Sequence, residues 1–169
     1  MRRTLVLLVG MAFLVVSAAP AAAAGKPMPV TGSETFFLTP TCDPGPPINL
    51  GPSFSPACKQ AGPNTTITVS NPGSRTGTFE GDQHFEGTIT VFSNLDFVFR
   101  GTLTFTGSVE GCGEGTVVFF NEGYGNFATG LERNVQHIVP GKGTLSVKGK
   151  LQLVGTSMNT NDIFGTYHC

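Results

Sequence analysis

A repeated Gly-Thr dipeptide constrains the fold of this chain more than any other sequence feature. Its copies recur at intervals of 10 to 14 residues, apart from one interval of 28. Glycine relieves crowding where a strand bends, and β-branched threonine favours an extended backbone. We interpret each copy as the opening of a short strand, and strands at this spacing predict an antiparallel β-sandwich or β-barrel. The copies are Gly77-Thr78, Gly87-Thr88, Gly101-Thr102, Gly115-Thr116, Gly143-Thr144, Gly155-Thr156 and Gly165-Thr166.

Alternation of apolar and polar side chains also predicts strands. The clearest segment is 95–109, where odd positions are apolar or glycine and even positions are mostly polar. A period of two residues indicates one buried face and one solvated face. Residues 145–153 repeat the pattern around a turn predicted at Lys148-Gly149-Lys150. Residues 85–91 are a third segment with the same alternation. The run 117–120 is apolar on both faces, which predicts a strand covered on both sides.

The first 24 residues have the composition of a secretory signal peptide. Arg2 and Arg3 precede an apolar stretch at 5–16, and an alanine-rich run ends at Ala24. This stretch is shorter than the roughly 20 residues that a membrane-spanning helix needs. We therefore expect cleavage after Ala24, secretion, and no stable membrane insertion of the mature chain.

The mature chain is expected to form one β domain preceded by an arm. Nine prolines in residues 25–63 argue against a central strand there, although a short strand is expected at 34–38. We assign 25–63 to a proline-rich arm and 64–169 to the β domain. Loss of Arg2 and Arg3 moves the formal charge from −1 to −3. A weakly acidic chain without a basic run lacks the surface that nucleic-acid binding needs.

All four cysteines lie in the mature chain, at Cys42, Cys58, Cys112 and Cys169. In an exported protein this number favours two disulfides, with three possible connectivities. We favour Cys42–Cys58, which would constrain the arm, and Cys112–Cys169, which would attach the last residue to a glycine-rich turn. Their spacing differs from that of paired C-x-x-C zinc ligands, so we expect a structural role for them.

Several short motifs between residues 75 and 167 form a combination that is typical of one group of proteins. Gly130-Leu131-Glu132-Arg133 follows Tyr124-Gly125-Asn126-Phe127, and Gly141-Lys142-Gly143-Thr144-Leu145 comes next. With the closing Gly-Thr segments, they resemble motifs of small actinobacterial proteins of unknown function that are similar to the allene oxide cyclase barrel. The resemblance implies an eight-stranded antiparallel barrel whose lumen could hold an apolar ligand. It carries over no catalytic residue, because these relatives have no assigned chemistry.

Glu132, Arg133 and His137 are the candidates for acid–base catalysis. A buried glutamate beside an arginine could polarise or deprotonate a ligand, and a nearby histidine could move the proton. On a regular strand, however, Arg133 and His137 share one face and Glu132 takes the other. We favour a surface ion pair with little effect on stability, and a protein without catalysis.

A second polar set could bind a divalent metal if its strand is continuous. We favour an ordinary polar outer face with a turn at Gly81-Asp82, and expect neither a metal nor a cofactor. The residues of this set are Glu80, Asp82, His84 and Glu86.

Phenylalanines are the candidates for lining a ligand cavity in the barrel. Apolar pockets with few polar groups are usual in small barrels. Alternatively the rings fill the core, because a barrel of about eight strands is just wide enough to be filled by side chains. The candidates are Phe97, Phe99, Phe105 and Phe119.

The sequence alone does not define a function. It favours a secreted β-barrel that holds a small apolar ligand in its lumen without catalysis. The first alternative is an isomerase or cyclase in the same lumen, which requires an inward carboxylate. The second is an extracellular interaction protein with a filled barrel and an exposed apolar patch.

Overall fold

The computed structural model describes residues 26–36, 64–157 and 159–169. Eight antiparallel strands form a closed barrel in sequential order, in which the first strand pairs with the last. The predicted all-β barrel of about eight strands is therefore confirmed. The strands are β1 (Met28–Phe36), β2 (Asn64–Gly77), β3 (Phe79–Phe92), β4 (Asp96–Val109), β5 (Gly113–Asn126), β6 (Leu131–Ile138), β7 (Lys148–Ser157) and β8 (Thr160–His168). Within these ranges no helix is long and apolar enough to cross a membrane.

The first strand lies in the segment that we assigned to the arm. β1 pairs with both β2 and β8, so the expectation of no central strand in this segment was wrong. The reason is that prolines occur only around its start, at Pro27 and Pro29, and residues 30–36 contain none. The barrel thus includes residues of the predicted arm. The rest of the arm, with Cys42 and Cys58, and the predicted signal peptide lie outside the described residues.

The Gly-Thr dipeptides do not open short strands. β2 to β5 have 14 residues each, and Gly87 and Gly101 face each other in the middle of β3 and β4. A Cβ atom on Gly87 would lie 2.4 Å from the carbonyl oxygen of Arg100 and 2.7 Å from the ring of Phe85. Real Cβ atoms essentially never come so close. Glycine is therefore needed here so that a ring can pack against the inner wall, while the following Thr88 faces outward.

Two local expectations were also wrong. Residues 148–150 begin β7 instead of forming a turn, because Lys148, Gly149 and Lys150 pair with β8. The run 117–120 is not covered on both sides, since the Phe119 side chain is buried inside and Phe120 is 40% exposed outside.

One end of the barrel is closed by aromatic packing. The Phe79 ring lies 5.5 Å from that of Phe105, 5.7 Å from that of Phe119 and 5.8 Å from that of Tyr167, centroid to centroid. Tyr167 donates its hydroxyl to the carbonyl oxygen of Glu110 at 2.7 Å. At this end the disulfide Cys112–Cys169 ties the turn after β4 to the last residue, which confirms that predicted pairing. We call this the disulfide end.

Candidate functional site

The opposite end of the barrel contains a cavity of about 60 Å³ that opens to solvent, here called the mouth cavity. It lies where β1 and β5 end and where β4 and β6 begin. At about 30 Å³ per water molecule, its volume corresponds to about two waters. Aromatic and aliphatic residues form most of its wall, and three amides and one carboxyl group supply the polar side chains. The side chains are those of Phe36, Phe85, Ile89, Phe97, Phe99, Phe127, Leu131, Asn71, Asn121, Asn126 and Glu132.

The aromatic wall is a continuous row of rings. The centroid of the Phe97 ring lies 4.3 Å from the centroid of Phe127 and 6.1 Å from the centroid of Phe99. The Phe99 centroid in turn lies 5.9 Å from the centroid of Phe85. The Phe97 ring rests against Gly125 of β5, where a Cβ atom would approach it to 2.5 Å. Because this part of the wall has no side chain, the ring can lie flat on the backbone and leave the cavity open.

Two buried amides face the cavity without a hydrogen-bond partner for their oxygen atoms. Asn71 is 3% exposed and Asn121 is 1% exposed, and the Oδ1 atom of each accepts no hydrogen bond. Asn121 lies five positions along β5 from Asn126, the residue at the rim. A buried polar atom without a partner costs about 1–3 kcal/mol. Both oxygens are shielded from a water-sized probe, so other atoms of these two side chains border the cavity.

Glu132 places a carboxyl group on the wall of the cavity. Its Oε1 atom accepts hydrogen bonds from Nδ2 of Asn134 at 2.7 Å and Nδ2 of Asn161 at 3.2 Å. Burial raises the pKa of Glu132 to about 7, and the charge of Glu34 adds to this shift while the two amide donors oppose it. The group can therefore gain or lose a proton near neutral pH.

A buried polar network lies between the mouth cavity and the disulfide end. Arg75 donates from Nη2 to Glu34 Oε2 at 2.8 Å and to Gln136 Oε1 at 2.6 Å, and from Nε to Gln83 Oε1 at 2.5 Å. The guanidinium carbon also lies 4.8 Å from the centre of the Phe119 ring. Burial lowers the pKa of Arg75, while the charge of Glu34 and its hydrogen bond oppose that shift.

Asn161 connects this network to the mouth cavity. Its Nδ2 atom donates to Glu34 Oε1 at 2.9 Å as well as to Glu132. Among the described residues, Glu34 and Glu132 thus share one amide donor, and of these two Glu34 is the one paired with an arginine within hydrogen-bond distance.

The structure does not bring the three catalytic candidates together. Glu132 faces the lumen, whereas Arg133 and His137 are exposed on the outer face of β6. The ligand-lining candidates divide in the same way. Phe97 and Phe99 line the mouth cavity, but Phe105 and Phe119 pack at the disulfide end.

The polar set on β3 lies on the outer face of a continuous strand, without the predicted turn at Gly81-Asp82. The hydroxyl of Ser70 and Nε2 of His84 lie 2.9 Å apart, and that nitrogen is 3.7 Å from Oε1 of Glu86. No group of three or more His, Cys, Asp or Glu residues in the described ranges is arranged to hold a metal ion.

The sequence reasoning missed the polar residues of the lumen. Asn71, Arg75, Gln83, Asn121 and Gln136 all occupy inward positions of their strands. Their signal is a polar residue in an otherwise apolar inward row, as with Asn121 two positions after Phe119. In a barrel such a position indicates an internal network or a ligand contact.

No family model and no curated protein matches this chain. Among solved structures, the chain is similar to a protein of unknown function from the DUF3224 family of Shewanella oneidensis MR-1. The two share a TM-score of 0.61 and 16% sequence identity, over 83% of this chain and 96% of the other. At this identity the likeness shows the fold alone, and these comparisons do not show a link to allene oxide cyclase. The chain therefore has the barrel fold of a protein whose own function is unknown.

Proposed function

We propose that this protein binds a small, largely apolar molecule with one polar group in the mouth cavity, and that it does so without catalysis. The observation that carries this proposal is an open cavity at the barrel mouth, walled by phenylalanines and lined on one side by the carboxyl group of Glu132. Apolar walls with a few directed polar groups are typical of small-molecule sites.

The size of the cavity indicates how such a ligand would lie. The cavity volume of about 60 Å³ accommodates a polar group and the first atoms of a chain. A wider groove of about 560 Å³, here called the rim groove, shares Phe97, Asn126, Leu131 and Glu132 with the cavity. It also includes Tyr124, which is 60% exposed. The polar group would occupy the cavity and the apolar remainder would lie in the rim groove.

We also propose that the protein acts outside the cell. The disulfide Cys112–Cys169 supports this, because disulfides persist mainly in oxidising compartments. The signal-like sequence of residues 1–24 is a second, independent support.

Titration with hexan-1-ol, followed by amide chemical shifts, tests ligand binding. Shifts are expected at residues around the mouth cavity, with no change at the disulfide end. Ile89→Trp should abolish them, because an indole ring on this lining residue fills the cavity. Thr88→Trp is the matched control, since the neighbouring Thr88 faces outward and its substitution should leave binding intact. Absence of shifts, or equal shifts in both variants, would contradict the proposal.

A second candidate function is an isomerase or cyclase that uses Glu132 as its acid–base group. Supporting observations are the inward carboxyl group and its pKa of about 7, which suits proton transfer at neutral pH. The sequence motifs that resemble allene oxide cyclase-like barrels imply such a lumen but carry over no catalytic residue.

Deuterium exchange at the carbons next to the carbonyl of hexan-2-one, followed by proton NMR in heavy water, separates the two functions. A proton-transfer enzyme should accelerate the exchange, and Glu132→Gln should remove the acceleration. Exchange at the buffer rate in both proteins supports binding without catalysis. An interaction protein with a filled barrel is disfavoured, because that alternative has no place for the mouth cavity.

A further inference from the structure

The charged group that the mouth cavity offers to a ligand is the carboxylate of Glu132. Both amide donors to Glu132 contact its Oε1 atom, so its Oε2 atom receives no hydrogen bond from the described residues. None of the described residues that line the cavity is Lys, Arg or His. A ligand group that donates hydrogen bonds therefore fits Oε2 of Glu132, whereas a carboxylate would meet a like charge with no basic lining residue to offset it.

The charge balance of the lumen points the same way. Arg75 is paired with Glu34 at 2.8 Å, and these two charges compensate each other. Glu132 has only neutral amide donors, from Asn134 and Asn161. When Glu132 is ionised, the lumen carries one uncompensated negative charge, which a single positive charge on the ligand would neutralise.

The aromatic wall suits a positive charge as well. The faces of aromatic rings carry partial negative charge and attract a cation within about 6 Å of the ring centre. Phe85, Phe97, Phe99 and Phe127 all border the same small cavity. A metal ion would lack the dense shell of oxygen ligands that it prefers, whereas an alkylammonium group combines hydrogen-bond donors with an apolar chain.

From these observations we propose that the mouth cavity selects a small organic monocation, an alkylammonium, whose ammonium group contacts the carboxylate of Glu132. The apolar chain passes the phenylalanines and lies in the rim groove. This inference rests on the proposed binding function, since it names the chemical class of the ligand for the same cavity.

Three probes of equal chain length test this selectivity at pH 8: hexylammonium, hexan-1-ol and hexanoate. Dissociation constants come from chemical-shift titration at constant ionic strength. Hexylammonium should bind at least tenfold more tightly than hexan-1-ol, and hexanoate should show no binding. Equal or tighter binding of the alcohol or of hexanoate would overturn the cation proposal and leave ligand binding itself established. Failure of all three probes would overturn both proposals.

Glu132→Gln tests the assigned carboxylate. Glutamine keeps the Oε1 acceptor for Asn134 and Asn161, so the strand and its contacts should be preserved. The variant should bind hexylammonium at least tenfold more weakly and hexan-1-ol unchanged. Glu122→Gln is the matched control, because it removes the same charge from an exposed outer position of β5. A preference for hexylammonium that survives in Glu132→Gln, or that falls equally in Glu122→Gln, would overturn the proposal.

The affinity for hexylammonium should also depend on pH. With a pKa of about 7 for Glu132, its ionised fraction rises about tenfold between pH 6 and pH 8, and the probe stays protonated, as amines of this class titrate near pH 10. The other charged groups nearby are Glu34 and Arg75 within the lumen, and Asp96 and Arg133 at the rim groove. The tenfold gain in affinity should be absent in Glu132→Gln. A gain that persists in the variant would assign the effect to one of these groups and overturn the role of Glu132.

Discussion

At the scale of single residues, Glu132 should make the stability of the barrel depend on pH. The pKa of its carboxyl group is raised from 4.5 to about 7 in the folded protein. Between these values the folded state holds a proton that the unfolded state has released, so stability falls as the pH rises. The full loss is about 3 kcal/mol, from about 1.4 kcal/mol per unit of pKa, and it is complete above the folded pKa.

Urea unfolding at pH 5 and pH 8 measures this effect. Glu132→Gln cannot ionise and should unfold at higher urea concentration than the wild type at pH 8, with a smaller difference between the two pH values. The exposed Glu122→Gln control should keep the wild-type difference. An unchanged difference in Glu132→Gln would show that another group causes the pH dependence.

Asn121 is a buried polar residue whose replacement should stabilise the barrel. Its amide oxygen is buried without a partner, and leucine has nearly the same shape without the polar atoms. Asn121→Leu should therefore raise the free energy of unfolding, measured by urea, by about 1–2 kcal/mol. Asn134→Leu is the contrasting variant, because it removes the donor to Glu132 and should destabilise the protein. A destabilised Asn121→Leu would mean that the amide has a structural role.

At the scale of strands, the alternation of side chains was the reliable signal. It predicted strand structure over 95–109, and the structure has a strand at Asp96–Val109. The Gly-Thr repeat misled, because glycine at a turn and glycine beneath an aromatic ring have the same local sequence. At Gly87 the glycine is required by the ring of Phe85, and that contact exists only in the folded barrel wall.

Gly87→Ala tests the explanation for these glycines. The added methyl group would contact the backbone of β4 and the ring of Phe85, and neither can move without disturbing the wall. We expect a loss of about 1–3 kcal/mol in the free energy of unfolding, as for other overpacked positions. Thr88→Ala, next to it on the outer face, should cost less. A near-neutral Gly87→Ala would show that the wall adapts and that the ring of Phe85 does not require glycine beneath it.

At the scale of the whole molecule, the barrel separates a packed end from an open one. Strand parity predicted that Glu132 lies on one face of β6 and that Arg133 and His137 lie on the other, but not which face is inward. The inward position of Glu132 shows that the favoured surface ion pair was wrong. Which phenylalanines border a cavity could not be predicted, because Phe99 and Phe105 share one inward row of β4. The two rings differ because the strand register around the barrel places Phe105 beside the ring of Phe79 and Phe99 beside Gly123.

This division predicts that the two ends can be perturbed independently. The disulfide Cys112–Cys169 spans a sequence separation of 57, and its removal restores freedom to a long loop of the unfolded chain. The loop-entropy relation gives a loss of about 4 kcal/mol in the free energy of unfolding for the double variant Cys112→Ala/Cys169→Ala. Urea unfolding measures that loss. The affinity for hexan-1-ol should stay unchanged, because the network of Arg75 and Glu34 lies between the disulfide and the mouth cavity. A folded double variant with clearly weaker binding would show instead that the disulfide end positions the cavity, and that the lumen behaves as one unit.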